Sequence, residues 1–178
     1  FAFTCHGPVA VRYPRVEAFD RYEEFRVPVE YGKSEMLYQE SEIAVLCVGH
    51  MFEEALRVRE LLKEQGCPCT LVNARFVKPL DEDMIDSLCR GHRLIVTIEE
   101  NVQTGGFGEH VMEYVCRKGT AAKVLPLALP DDYVEHGSIQ ALRKETGLDA
   151  ETMAERIRRQ YESMRAYESE ITRLQEQI

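Results

Sequence analysis

From residue 43 to about 129 the chain alternates short apolar runs with amphipathic stretches, and this alternation limits the possible folds more than any single motif does. IAVLCVG (43–49) is a continuous apolar run rich in β-branched residues, the pattern of a strand buried on both faces. MFEEALRVRELLKEQG follows, with Phe52, Ala55, Leu56, Val58 and Leu62 at helical spacing and Gly66 placed as the C′ stop. CTLVNARFV reads as a second strand and DEDMIDSLCRG as a short helix entered through Pro79 and Asp81. RLIVTIEE is a third strand, EHVMEYVCRKG the next helix and AKVLPLALP a fourth strand, after which SIQALRKETG and AETMAERIRRQYESMRAYESEITRLQEQI close the chain as helices. This order predicts a three-layer α/β/α fold. Its sheet is expected to be mostly parallel and five-stranded, with helices on both faces and a long C-terminal helix.

The turn TGGFG, between the third strand and its helix, carries Gly105, Gly106 and Gly108. A glycine turn at a helix N-terminus can cradle a phosphate. This one has neither the G-x-G-x-x-G nor the G-x-x-x-x-G-K-[ST] spacing, and Glu99, Glu100 and Glu109 flank it with no nearby Lys or Arg. It reads as a tight corner that lets the helix start close to the sheet, with Glu99 and Glu100 as turn or interface residues.

The 178 residues suffice for one full domain with appendages. A net charge of −9 argues against nucleic-acid or anionic-membrane partners. No apolar run approaches the roughly 18 residues of a membrane span. Cys5, Cys47, Cys67, Cys69, Cys89 and Cys116 are scattered, mostly within apolar runs, which suits buried thiols in a cytoplasmic protein. Cys67-Pro68-Cys69 lacks the C-x-x-C spacing of zinc and redox sites, so no metal is expected. His6, His50, His92, His110 and His136 show no ligand spacing and read as surface or capping residues.

The chain opens at Phe1 directly into GPVAVRYPR, a short strand PVAVRY stopped by Pro14, as expected for a piece of a longer polypeptide. Residues 16–40 are charged and aperiodic, as in a linker. In the last helix Ile157, Met164, Ile171 and Ile178 recur every seven residues beside Tyr161, Tyr167 and Leu174. Glu168 and Gln175 fall where a second seam should be apolar, so docking onto the domain or a partner is expected rather than a free coiled coil.

GPVAVRYPR, YGKSEML, IAVLCVG, NARFVKPLDEDMI, VTIEENVQTGGFGEHV, ALPDDYVEHGS and TGLDAETMAERI occur in the order found in one family. Over residues 7 to about 160 the chain resembles the C-terminal part of the 1-deoxy-D-xylulose-5-phosphate synthases, thiamine-diphosphate enzymes of the transketolase superfamily. One departure is that Val16 stands where the family continues RYPRG. The resemblance implies residues 1–15 as the last strand of a preceding pyrimidine-binding domain, 16–40 as linker, 41–160 as a transketolase C-terminal-like domain and 161–178 as a helical tail. It also implies a parent enzyme that condenses pyruvate with D-glyceraldehyde 3-phosphate, releases carbon dioxide and serves isoprenoid, thiamine and pyridoxal synthesis.

Thiamine diphosphate and Mg2+ would be held by the N-terminal and middle domains of the same polypeptide. No catalytic, cofactor or metal residue is therefore expected in this chain, which would be inactive alone and serve structure and homodimerisation. By its place in RYPR, Arg15 matches the family's anchor for the triose phosphate, a task suited to a guanidinium fork, whereas Arg12 reads as structural. Two other readings stay open. One is a stand-alone α/β binding or interaction module, and the other is the C-terminal domain of an oxo-acid dehydrogenase beta-subunit.

Overall fold

The computed structural model describes residues 1–13 and 27–175. Among these, five strands form one sheet in the order β1-β3-β2-β4-β5. The strands are β1 (Glu35–Tyr38), β2 (Glu42–Cys47), β3 (Thr70–Asn73), β4 (His92–Val102) and β5 (Lys123–Leu129). The β3–β2, β2–β4 and β4–β5 pairs are parallel, with Val45 beside Leu71 and Val96, and Val96 beside Leu125. β1 alone runs antiparallel, on the outer edge of β3. Pro126 sits on β5, the opposite edge, where its missing N–H interrupts no inner ladder.

The period of two along β2 and β4 divides the core into two layers. Ile43, Val45, Cys47, Leu94, Val96 and Ile98 face α1 (Phe52–Glu64) and α5 (Ala150–Gln175). Ala44, Leu46 and Ile95 face α2 (Glu82–Gly91) and α3 (Phe107–Lys118). Each fully buried aliphatic side chain contributes roughly 1.5–3 kcal/mol. The short helix α4 (Ile139–Thr146) precedes α5.

Local signals set the helix ends. The Asp81 carboxylate accepts the Met84 N–H at the start of α2, and the Ser138 hydroxyl accepts the Ala141 N–H at the start of α4. Gly66, Gly119 and Gly147 follow α1, α3 and α4 with φ of 75°, 65° and 71°.

Three expectations are altered. Pro8–Tyr13 form no strand and are exposed, because a strand needs a neighbour to satisfy its backbone and no described strand lies beside them. Within the segment read as linker, residues 35–38 form β1, which completes the five-stranded sheet. α5 runs unbroken through residue 160, burying Met153, Ile157, Tyr161 and Met164 against the sheet and α1. The C-terminal helix therefore docks as expected, but only as far as Met164. Tyr167, Ile171 and Leu174 are exposed, and Ile178 lies outside the described residues. Glu168, which interrupts the apolar seam, forms an ion pair with Arg93 of β4.

Candidate functional site

After β2 the chain crosses over to β3 on one side, and after β4 it crosses to β5 on the other, so the crossovers diverge at the carboxyl ends of β2 and β4. Open α/β sheets place their crevices at such a point. Here it is furnished by the turn Gly49–Met51 after β2 and by the end of β4. Successive strand residues point to opposite faces, so the adjacent Glu99 and Glu100 serve different layers.

Glu99 turns to the α3 face and is buried, 4% exposed. Its Oε2 accepts the Phe107 N–H at 2.8 Å and its Oε1 the Gly108 N–H at 2.7 Å. The glycine turn therefore does cradle an anion, and the anion is the protein's own carboxylate. A Cβ on Gly106 would stand 2.7 Å from both Glu99 oxygens, and one on Gly108 would stand 2.5 Å from Thr97 Oγ1 and 2.9 Å from Pro126 Cβ. Glu109 accepts the Gly105 N–H, which uses a further donor of the turn.

Glu100 turns to the other face and joins a charged cluster. Arg143 of α4 donates through Nη1 to Glu54 Oε1 at 3.0 Å, and its Nη2 lies 3.0 Å from His50 Nδ1 and 3.4 Å from Glu100 Oε1. His50 Nδ1 also lies 3.4 Å from Glu100 Oε2. Arg57 approaches Glu54 at 3.4 Å. The Arg143 and Glu54 side chains are 13% and 9% exposed, so this is a largely desolvated pair.

A second group of charges binds the segment that leads into β1. Arg75, at φ 57°, donates to Val27 O at 3.2 Å, Pro28 O at 3.4 Å and Glu35 Oε2 at 2.5 Å. Lys33 pairs with Asp83 at 2.7 Å and Asp81 at 3.5 Å, and the Ser34 N–H donates to Asp81 Oδ2. The hydrogen bond to Asp83 pushes Lys33 up, and the same contact holds Asp83 below the usual carboxylate range. These residues line a cavity of about 720 Å³.

Arg15, the residue matched to a phosphate anchor, lies outside the described residues, while Arg12 is described and exposed. Two expectations about side chains are corrected. His92 is buried, with Nδ1 3.0 Å from Leu88 O and Nε2 2.7 Å from Thr70 Oγ1, because β4 begins earlier than the apolar run. Burial was expected for most of the thiols, yet it is complete for Cys47 and Cys69 alone, where it pushes both up to about 12, while Cys5 and Cys116 are exposed. Among the described residues no group of three or more His, Cys, Asp or Glu is placed to hold a metal ion, and no helix is long and apolar enough to cross a membrane. Sequence reasoning missed Arg75 and Arg143. The period-two opposition of Glu99 and Glu100 was the signal that could have separated their roles.

Comparison with known proteins places this architecture. The family described as "Transketolase, C-terminal domain" matches residues 32–153. Two curated relatives are named 1-deoxy-D-xylulose-5-phosphate synthase. The one from Lachnoclostridium phytofermentans is 44% identical over 155 residues, covering 86% of this chain and 25% of the relative. The one from Caldanaerobacter subterraneus subsp. tengcongensis is 40% identical over 159 residues, covering 89% and 25%. The chain thus spans about a quarter of the length of the curated relatives it matches. Among solved structures, a split-gene transketolase described as an inactive beta4 tetramer aligns with a TM-score of 0.70 at 24% identity, covering 75% of this chain and 43% of that one. A Pichia stipitis transketolase in complex with sedoheptulose 7-phosphate aligns with a TM-score of 0.56 at 17% identity, covering 76% and 19%. With a matching fold and a family match over most of its length, this chain belongs to the transketolase C-terminal domain family.

Proposed function

We propose that the chain is the C-terminal domain of a 1-deoxy-D-xylulose-5-phosphate synthase, whose complete polypeptide condenses pyruvate with D-glyceraldehyde 3-phosphate and releases carbon dioxide. The observation that carries this reading is the identity of 38–44% to synthases so named, over 85–89% of the chain. The product would feed isoprenoid, thiamine and pyridoxal synthesis, and the enzyme would be a cytoplasmic homodimer.

Such an enzyme draws its carbanion chemistry from thiamine diphosphate held with Mg2+. The described residues of this chain do not fit that group. Among them the glycine-rich helix start is filled by Glu99, and the acidic side chains nearby would repel a diphosphate. Cofactor binding and catalysis are therefore assigned to the preceding domains of the polypeptide, and the chain alone is read as inactive. Its own part is a rigid α/β body that contributes to dimerisation. Residues 1–15 belong, in this reading, to the sheet of the preceding domain, with Arg15 holding the triose phosphate by a charge-assisted contact.

Calorimetric titration tests the division of labour. The 178-residue chain should give no heat with thiamine diphosphate and Mg2+, and the complete polypeptide should bind both and form product from pyruvate and glyceraldehyde 3-phosphate. Micromolar binding to the chain alone, or a complete polypeptide that does not condense these substrates, would sink the reading.

A further inference from the structure

Two separate stretches of the chain converge on the loop that follows β3, residues 74–80. The Phe1 ring packs edge-on against Phe76 with centroids 5.7 Å apart, and the Tyr31 ring does the same at 5.6 Å. The Ser34 hydroxyl donates to Ala74 O at 3.2 Å. Arg75 holds φ 57°, a conformation unfavourable for a bulky side chain, and directs its guanidinium to two backbone carbonyls, Val27 O and Pro28 O, besides Glu35. A strained residue persists where its contacts over-determine it, so the connector that leads into β1 is pinned to this loop.

The same loop presents apolar surface to solvent. Phe1, Tyr31 and Val77 are 51%, 71% and 42% exposed. Hollows lie on either side of the loop in sequence: Arg75 lines the cavity of about 720 Å³, and Val77, Lys78 and Leu80 line another of about 310 Å³ with Tyr114 of α3. Exposed aromatic and aliphatic side chains set among hollows have the composition and relief of an interface. Its occupant follows from the path of the chain. Polypeptide continuing upstream of Phe1 starts beside Phe76, and the chain spans only about a quarter of its curated relatives. A second copy has no such tether to this loop.

We propose that residues 74–80 are the seat of the preceding domain of the same polypeptide, with Phe1, Tyr31 and Phe76 at the contact and Arg75 fixing the direction in which the connector leaves. The inference rests on the reading of the chain as the C-terminal domain of a longer synthase, and it adds the surface through which that domain meets the rest. Arg75 acts through the connector and is a positioning residue.

Photo-cross-linking of the complete polypeptide tests the seat, with condensation activity measured first so that failure of this inference is told apart from failure of the reading beneath it. Tyr31→p-benzoylphenylalanine keeps an aromatic ring at an exposed position. Irradiation should give adducts at the mass of a single polypeptide, and peptide mapping should place them on residues upstream of Phe1. Val77→Glu, a change at an exposed site, should leave the melting midpoint of the 178-residue chain where it is, so that its effect on docking is not a loss of fold. In the complete polypeptide it should cut the adduct yield about tenfold, because it carries a charge into a desolvated contact. Adducts chiefly at twice the single mass would assign the face to a second copy. That result, an active enzyme without upstream adducts, or an unchanged yield in Val77→Glu would each overturn the proposal.

Discussion

Glu99 Oε1 accepts the Gly108 backbone N–H at 2.7 Å, across the gap between the end of β4 and the first turn of α3. The contact ties the helix start to the sheet through a buried charge. Glu99→Ala would leave two helix N–H groups buried and unpaired, at a cost of roughly 2–4 kcal/mol. Glu99→Gln keeps one acceptor but aims an amide donor at a second N–H, so it should lose about half as much. Urea unfolding at pH 7, followed by circular dichroism, measures both; midpoints within experimental scatter of wild type would refute the role.

Gly108 reverses an ordinary expectation. Gly→Ala inside a helix usually stabilises by about 1 kcal/mol. Here the new methyl meets Thr97 Oγ1 at 2.5 Å and Pro126 Cβ at 2.9 Å, so Gly108→Ala should destabilise by about 1–3 kcal/mol through overpacking. Thermal unfolding of the variant gives the sign directly, and a raised midpoint would show that α3 can draw back from the sheet without cost.

The layered fold was legible because its signals are local. An apolar run such as IAVLCVG needs burial on both faces, and Asp81, Ser138 and the glycines after α1, α3 and α4 mark helix ends within a few residues. β1 was not legible. It is four residues long, pairs on an edge and carries no apolar alternation, so only its contact with β3 defines it. PVAVRY shows the converse, a good strand pattern with no described neighbour to pair with. Arg143 meets Glu54 at a sequence separation of 89, a relation no local pattern encodes. The glycine turn was read correctly as a corner, but its electrostatic content depended on which face Glu99 takes.

The thiols should separate by burial. Burial pushes Cys47 and Cys69 up to about 12, so at pH 8 neither carries appreciable thiolate, the reactive form. In the native protein a disulfide-exchange reagent should label exposed Cys5 and Cys116 first, and Cys47 and Cys69 only after denaturant is added. Peptide mapping reads the order, and rapid native labelling of Cys47 would contradict the packing.

Asp149 carries a pH dependence of definite sign. Burial would raise it, but hydrogen bonds from the Thr152 side chain and backbone outweigh burial and hold it below the usual carboxylate range. Its Oδ1 accepts the Thr152 N–H at 3.0 Å at the start of α5. Because the folded value is depressed, the stabilisation is complete above about pH 4, the ordinary carboxyl value, and fades as pH falls through the folded value. Asp149→Ala should cost about 1 kcal/mol at pH 7, and the gap to wild type should narrow toward pH 2–3. A gap that stays constant with pH would remove the carboxylate from the explanation.

Steady-state kinetics of the complete polypeptide, wild type and Arg15→Ala, test most directly the proposal that the chain belongs to a synthase with Arg15 at the triose phosphate. A contact to an ionised group contributes on the order of 1.5–3 kcal/mol, so kcat/KM for glyceraldehyde 3-phosphate should fall about ten- to a hundred-fold. Unphosphorylated glyceraldehyde should lose much less, pyruvate addition should be little changed, and Arg15→Lys should recover only part, since a point charge replaces a bidentate fork. Equal losses for the two acceptors, or no loss for either, would contradict the assignment.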